Sequence, residues 1–184
     1  MTFSNPAAGA AASAGAYVRA LLEVLGERDP LEILAELDGW LDRRLAGVPE
    51  AALGRPEAPG KWSVVAVVQH LADSELVLGF RMRMILTEDR PAIQGYDQDK
   101  WATTLRYPDV PLAEARAQLR ALRTANLRVL DRLGPADMER VGMHSERGPE
   151  SLGHLIKLMG AHDLVHRRQI DRVLSVTLSG AKGA

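Results

Sequence analysis

Two histidines four residues apart carry the clearest chemical signal in this 184-residue chain. On a helix, His162 and His166 would lie one turn apart on one face, with about 5–6 Å between their Cβ atoms. Both occupy a core stripe, at positions where a bundle helix usually carries leucine. Two imidazoles at this spacing can bind one metal ion. The alternative is that each is a core histidine satisfied by an ordinary hydrogen bond.

A third histidine, His70, lies on the inward stripe of an earlier helical segment, together with Val67, Ser74 and Arg81. In an antiparallel helix pair, residues well into one helix meet residues early in the other. Three neutral imidazoles bind a divalent transition metal and leave one position for water or substrate. We therefore predict that His70, His162 and His166 converge on one ion, with metal–nitrogen distances of about 2.0–2.2 Å.

Polar residues near these histidines, among them Gln169, are candidates for orienting ligands, and the acids are also candidates for general base catalysis. Metal-bound histidine usually donates its other N–H to a carboxylate or carbonyl oxygen. We assign these catalytic roles to Asp73 and Asp163. For Glu75 and Asp171 we favour solvated surface positions.

Of the remaining histidines, His154 is predicted to lie on the surface and His144 in a solvated loop. The alternative for His144 is a position at the mouth of the site. Arg81 lies on the inward stripe, so it either pairs with a buried acid or binds an anionic substrate. The buried ion pair is the commoner of these two arrangements.

Helices must position these residues, because apolar residues recur with a period near 3.6 almost throughout and nothing alternates with period two. We predict one short helix and four long ones. Their ranges are Tyr17–Glu27, Pro30–Ala46, Val64–Glu88, Pro111–Leu133 and Leu152–Leu174. We therefore expect an all-α four-helix bundle with a short extra N-terminal helix and no sheet of three or more strands.

The connecting segments are rich in proline, glycine and polar residues. Residues 89–110 form a loop that is long for a compact domain, and such loops are often functional. Residues 137–150 are predicted to be irregular. Residues 1–15 are predicted to form a flexible tail, and residues 16–184 a single domain.

Composition excludes several classes of function. The formal net charge is -1, which argues against a large nucleic-acid footprint. The absence of cysteine excludes disulfides, thiolate metal ligands and a cysteine nucleophile. No apolar run approaches the roughly 20 residues needed to span a membrane, and residues 1–16 lack the features of a signal peptide. We expect a cytoplasmic protein.

Several motifs, in their order along the chain, resemble the DinB-like family of metalloenzymes. They are GKWSVVAVVQHLADSE at 60–75, GYDQDKWA at 95–102 and HSERGPESLGHLIKLMGAHDLVHRRQI at 144–170. The resemblance spans about residues 30–175. Its most specific parts are Trp62-Ser63 with His70, and His162 with His166 before Gln169-Ile170.

This resemblance implies an up-down-down-up bundle with zinc or nickel held by His70, His162 and His166. It also implies a bacterial stress response, a homodimer and a small-molecule substrate. The reaction that it favours is hydrolysis by a metal-activated water. The alternatives are a metal-dependent S-transferase using a low-molecular-weight thiol, or a non-enzymatic stress-induced bundle. Because structural zinc is normally four-coordinate, three histidines without a fourth protein ligand favour chemistry.

Overall fold

The computed structural model describes residues 10–179, with side chains from residue 15 onward. The long helices are α2 (Pro30–Leu45), α4 (Val64–Thr87), α6 (Leu112–Leu130) and α8 (Leu152–Ser179). Helix α1 (Ala10–Leu25) has 16 residues, as many as α2, so the extra N-terminal helix is longer than predicted. The shorter helices are α3 (Glu50–Gly54), α5 (Gln98–Thr104) and α7 (Pro135–Met138), and a 3-10 turn spans Tyr107–Asp109. The predicted helical bundle, with its four long helices, is confirmed.

Local capping sets where three of the long helices begin. The Asp29 carboxylate accepts the Leu31 N–H at 2.8 Å, and Pro30 occupies the first turn of α2. The Ser63 hydroxyl accepts the Ala66 N–H at 3.3 Å at the start of α4. Ser151 does the same for His154 at the start of α8, at 3.2 Å. These caps fix the helix registers, and with them the rotation of each histidine about its helix axis.

Helices α4 and α6 run parallel to each other. Near the start of both helices, the Gln69 amide donates to Gln118 at 3.2 Å. Further along both, the Asn126 amide donates to the Glu75 carboxylate at 2.9 Å. Two parallel neighbours need a connection that returns along the bundle, which explains the length of the segment between them.

Helices α2 and α8 run in the opposite direction to that pair. Successive residues along α2 contact residues of α6 with decreasing sequence numbers, and residues of α8 with increasing sequence numbers. The contacts are Asp38–Arg120 at 2.7 Å, Asp42–Arg116 at 2.8 Å, Glu36–Arg167 at 3.3 Å, and Arg44–Asp171. The order is therefore up-down-down-up, as expected.

The interior divides into two main apolar clusters along the bundle axis. One surrounds the start of α4 and the end of α8, where Leu71 and Ile170 belong to it. The other surrounds the end of α4 and the start of α8, where Met82 and Met159 belong to it. On α8, His162 and His166 lie between members of the two clusters, whereas His70 on α4 lies among residues of the first cluster. Burial of apolar side chains on both sides therefore holds this polar layer in place.

A small sheet closes one end of the bundle, so the prediction that there would be no sheet of three strands was wrong. Strand β1 (Ala92–Ile93) pairs in parallel with β2 (Val141–His144), which pairs antiparallel with β3 (Gly148–Ser151). These strands have two to four residues, too few for period-two alternation to show in the sequence. The predicted irregular segment 137–150 therefore contains part of α7 and most of this hairpin.

Helix α1 begins at Ala10 rather than at the predicted Tyr17, and it packs on α8 through Leu21 and Leu25. Residues 1–9 of the predicted tail lie outside the described residues. The large apolar side chains left exposed between residues 15 and 179 include Leu76 and Phe80 on α4. The homodimer stays a prediction. No helix within residues 10–179 combines the length and hydropathy needed to cross a bilayer.

Close approach of α2 to α8 depends on Gly160. A Cβ atom there would lie 2.9 Å from the Cα and the Cβ of Pro30, closer than packed atoms tolerate. We expect Gly160→Ala to lower the free energy of unfolding by about 1–3 kcal/mol, measured by urea denaturation. Gly39→Ala is the matched control, because its Cβ would meet only the flexible end of Arg43. It should leave stability unchanged or raise it by up to about 1 kcal/mol. Equal effects of the two substitutions would contradict this account.

Candidate metal centre

The Nε2 atoms of His70, His162 and His166 converge inside the bundle. The Nε2 of His162 lies 3.0 Å from that of His70 and 3.1 Å from that of His166. One nitrogen of each histidine falls within a cluster 4.8 Å across. The structure therefore brings together the three residues that the sequence predicted as metal ligands.

Helix geometry produces this convergence. His162 and His166 follow each other by one turn on α8, while His70 faces them from the antiparallel helix α4. The Trp62 ring packs on His70, with ring centroids 4.9 Å apart. His70 and His166 are buried, whereas His162 is only half-buried. The open side of the cluster is therefore at His162.

The hydrogen bond to His166 fixes its tautomer. Its Nδ1 lies 2.7 Å from the Gln169 side-chain oxygen, which can only accept, so Nδ1 carries the proton. The lone pair of His166 then lies on Nε2 and faces the other two imidazoles. This is how metal-ligating histidines are usually oriented, although here the partner is an amide and not one of the predicted acids.

Burial keeps the three imidazoles neutral. It lowers the pKa of His70 and of His166 well below the usual value, and the neighbouring histidines lower it further. Burial also lowers the pKa of His162 to about 4. At neutral pH each ring therefore has one unprotonated nitrogen available as a ligand.

Two hydroxyl groups lie beside the cluster. The Ser74 Oγ is 3.5 Å from the His70 Nε2 and 3.2 Å from the Tyr96 hydroxyl. Burial raises the pKa of Tyr96, so its hydroxyl stays protonated and can donate a hydrogen bond. Sequence reasoning placed Ser74 on the inward stripe and gave Tyr96 no role. The only signal for Tyr96 was its place in the motif at 95–102.

Asp73 is buried, and both of its carboxylate oxygens already accept hydrogen bonds. Its Oδ1 accepts from Gln69 at 3.1 Å and from Gln118 at 3.0 Å. Its Oδ2 accepts from the Tyr107 hydroxyl at 2.7 Å, and burial raises the pKa of that tyrosine. The described contacts of Asp73 thus link α4 to α6 and to the long connection between these two helices. Its catalytic role stays a prediction.

Asp163 lies in a buried ion cluster that joins three helices. The Arg123 guanidinium donates to both Asp163 oxygens, at 2.7 and 3.1 Å, and pairs with Glu75 at 3.0 Å. The prediction that Glu75 is a solvated surface charge was wrong, because only 2% of it is exposed. Its partner Arg123 lies on α6, so nothing in the sequence around Glu75 indicates this ion pair. Asp171 does lie at the surface, paired with Arg44. The catalytic role of Asp163 also stays a prediction.

A pocket opens from the half-buried His162 toward the small sheet. Its polar lining includes Ser74, Tyr96, Arg81 and His144, and leucines of α1, α4 and α8 form its apolar wall. The long α4–α6 connection, predicted as a functional loop, contributes Tyr96 to this lining. The structure therefore joins the histidine cluster to a partly open cavity of about 110 Å³.

His144 lines this pocket and is only 3% exposed, so the prediction of a solvated loop position was wrong. It ends strand β2, whose pairing turns the side chain inward. Its Nδ1 accepts the Glu146 N–H at 3.2 Å, which leaves the proton on Nε2. His154 lies at the edge of the fold with its side chain one-third exposed.

Comparison with known proteins agrees with this geometry. The sequence profile of the DinB superfamily matches residues 33–170, so the chain belongs to that superfamily. The matched residues, 33–170, include His70, His162 and His166.

Three relatives illustrate the similarity. A "putative metal-dependent hydrolase" of Oceanobacillus iheyensis is 36% identical over 110 residues, 58% of this chain and 63% of its own. Another protein with that name, from Bacillus mycoides, is 30% identical over 84% of this chain and 88% of its own. The solved structure of YfiT from Bacillus subtilis matches with a TM-score of 0.69 and 25% identity, covering 78% of this chain and 84% of that one. YfiT is described as a "probable metal-dependent hydrolase" with an unusual four-helix bundle topology.

Protonation of His144 should destabilise the fold in acid. Burial, followed by the charges of Arg147 and Arg81, lowers its pKa from 6.5 to about 4. The unfolded chain therefore binds the proton more readily, and His144 contributes stability above pH 6.5 that is lost as the pH falls toward 4. The loss from this residue is about 2–3 kcal/mol.

The measurement is urea denaturation of the metal-free protein at pH 7 and at pH 4. His144→Gln should lose less stability between these pH values than the wild type loses. Met143→Gln, a neighbouring and more exposed position on β2, should keep the wild-type difference. An unchanged difference in His144→Gln would show that His144 is not buried in its neutral form.

Proposed function

We propose that this protein is a metal-dependent hydrolase of a small-molecule substrate, with its metal held by His70, His162 and His166. The observation that carries the proposal is the convergence of three neutral imidazoles, with the His162 Nε2 at 3.0 Å from that of His70 and at 3.1 Å from that of His166. Three lone pairs directed at one point repel each other unless a proton or a cation lies between them. A single shared proton can bridge only two of the three nitrogen atoms. The three nitrogens together therefore fit a divalent metal ion as their common partner.

The ligand count supports a catalytic rather than a structural ion. Structural zinc sites normally use four protein ligands, whereas catalytic sites use three and leave a position open. Within residues 15–179, the cluster contains three histidines and no carboxylate or further imidazole. Imidazole ligands suit zinc and nickel, and we propose one of these two metals.

A bound divalent metal would polarise a substrate oxygen and lower the pKa of a water molecule toward neutrality. The residues of the chain bind and orient the reacting groups. The protonated Tyr96 hydroxyl can donate to an oxygen beside the histidines, and Ser74 lies within hydrogen-bond reach of Tyr96. The apolar side of the pocket limits the access of bulk water.

For Asp73 and Asp163 we propose positioning roles. Asp73 binds the Tyr107 hydroxyl and two glutamines, and thereby fixes α4 one turn beyond His70. Asp163 follows His162 directly, and its ion pair with Arg123 anchors that part of α8. Neither acid has a carboxylate oxygen without a hydrogen-bond donor, so a base acting on water would have to give up one of these contacts.

Graded loss of metal affinity tests the ligand set. His166→Ala should weaken zinc binding by more than about 100-fold, while Gln169→Ala should cost about 10–100-fold because it removes only the hydrogen bond to the ligand. His154→Ala is the matched control, since it removes an imidazole from the same helix away from the cluster, and should cost nothing. Competition with a chromogenic chelator gives the affinities, and circular dichroism checks that each variant is folded. Equal affinities in His166→Ala and His154→Ala would exclude the proposed ligands.

The reaction class is tested by a parallel screen of the zinc- and nickel-loaded protein. We expect hydrolysis of small ester or amide substrates that disappears on chelation, returns when the metal is restored, and is absent in His162→Ala. Conjugation of a low-molecular-weight thiol without hydrolysis would instead identify the S-transferase. Tight metal binding without either activity would favour the non-enzymatic bundle.

A further inference from the structure

Arg81 is a buried cation without an anionic partner. Only 7% of the residue is exposed, yet it forms no ion pair within the described part of the chain. One of its Nη atoms donates to the Gln94 backbone carbonyl at 2.6 Å, and its guanidinium lies 5.9 Å from the centre of the Tyr96 ring. Burial of an unpaired charge costs free energy, so such charges are normally paired. Of the two alternatives for Arg81, an ion pair with a buried acid is not formed among residues 15–179.

The charged groups around Arg81 leave this cation uncompensated at close range. Arg147 donates to both oxygens of Glu150, at 2.6 and 2.8 Å, and is therefore already neutralised. Glu146 also lines the pocket, and its charge acts on Arg81 without forming an ion pair. Its carboxylate lies over the backbone of Gly95, where an added Cβ would be 2.6 Å from Oε1.

His144 adds an unused hydrogen-bond donor to the same pocket. Because its Nδ1 accepts the Glu146 N–H, its Nε2 carries the proton. That Nε2 is buried and has no hydrogen-bond partner among residues 15–179. Leaving a buried donor without an acceptor costs free energy. An acceptor group in the pocket, close to both His144 and Arg81, would remove this cost.

The rest of the pocket indicates the size and charge of the ligand. The apolar wall consists of Leu21, Leu78, Leu155, Leu158 and Met159, and His162 of the metal centre also lines the pocket. One uncompensated cation matches one negative charge, while the apolar wall matches a short hydrocarbon or aromatic body. A phosphate dianion would need a second free cation here.

We propose that this pocket binds a small monocarboxylate group of the substrate, with Arg81 and His144 as its hydrogen-bond donors and the apolar wall around its body. This inference rests on the proposed function, because it assigns the substrate class of the same site. Arg81 and His144 are binding residues that orient the substrate relative to the histidine cluster.

The test measures binding of sodium benzoate and of neutral benzamide by calorimetry at constant ionic strength, on metal-free and on zinc-loaded protein. Wild-type protein should bind benzoate at least about tenfold more tightly than benzamide, because hydrogen bonds to a charged group are stronger than hydrogen bonds between neutral groups. Arg81→Gln should abolish this preference by weakening benzoate alone. Glu146→Gln should strengthen benzoate binding severalfold, because it removes the only carboxylate on the described pocket lining.

Two further variants keep the test decisive. Arg128→Gln removes the same charge from an exposed position on α6 and should retain the wild-type preference. If Arg81→Gln does not fold, Arg81→Lys takes its place, and its benzoate affinity should fall while its benzamide affinity stays unchanged. The proposal is overturned if wild-type protein does not prefer benzoate, if the Arg81 variant keeps the preference, or if inorganic phosphate binds more tightly than benzoate.

Measurements on metal-free protein separate this proposal from the proposed function. A carboxylate preference that depends on Arg81 but occurs in a protein unable to bind zinc would contradict the metal-dependent hydrolase alone. Zinc binding that needs the three histidines, without any carboxylate preference, would contradict the carboxylate pocket alone.

Discussion

The burial of three imidazoles at one point is the constraint on which the rest of this structure depends. Without a shared partner, such burial would cost on the order of a few kcal/mol. The apolar clusters at either end of α4 and α8 hold the rings in place despite that cost. Gln169 fixes one tautomer, and the Trp62 ring covers His70. The Gln169 contact keeps the lone pair of His166 directed at the centre of the cluster, and the packing contacts hold the rings in position.

The parallel arrangement of α4 and α6 has a second consequence for the site. It requires a long connection that returns along the bundle. This connection provides Tyr96, which contacts Ser74 beside the histidines, and Tyr107, which donates a hydrogen bond to Asp73. Its strand β1 also supports β2, which places His144 in the pocket. The up-down-down-up order of the helices therefore supplies part of the polar lining of the pocket beside the histidine cluster. An up-down-up-down bundle with short loops would lack Tyr96 and the strand that pairs with β2, although the leucines of the apolar wall lie on helices.

The long helices and the histidine cluster could be predicted from sequence because both follow local spacing. The spacing of four residues places His162 and His166 on one face of a helix. To add His70 to the cluster, the prediction required only that α4 and α8 run antiparallel. The environment of Glu75 could not be predicted, since it depends on Arg123 from another helix. His144 was misplaced for a similar reason, because its strand is paired by residues about 50 positions earlier in the chain. Long-range pairing of short segments leaves no periodic signal.

X-ray absorption spectroscopy of the zinc-loaded protein tests the central claim most directly, because it counts the ligand atoms and measures their distances. The account predicts three imidazole nitrogens at about 2.0–2.1 Å and one further light-atom ligand from solvent. The same spectrum in His144→Gln should be unchanged. A spectrum with four imidazoles, with fewer than three, or with one lost in His144→Gln would contradict the three-histidine centre.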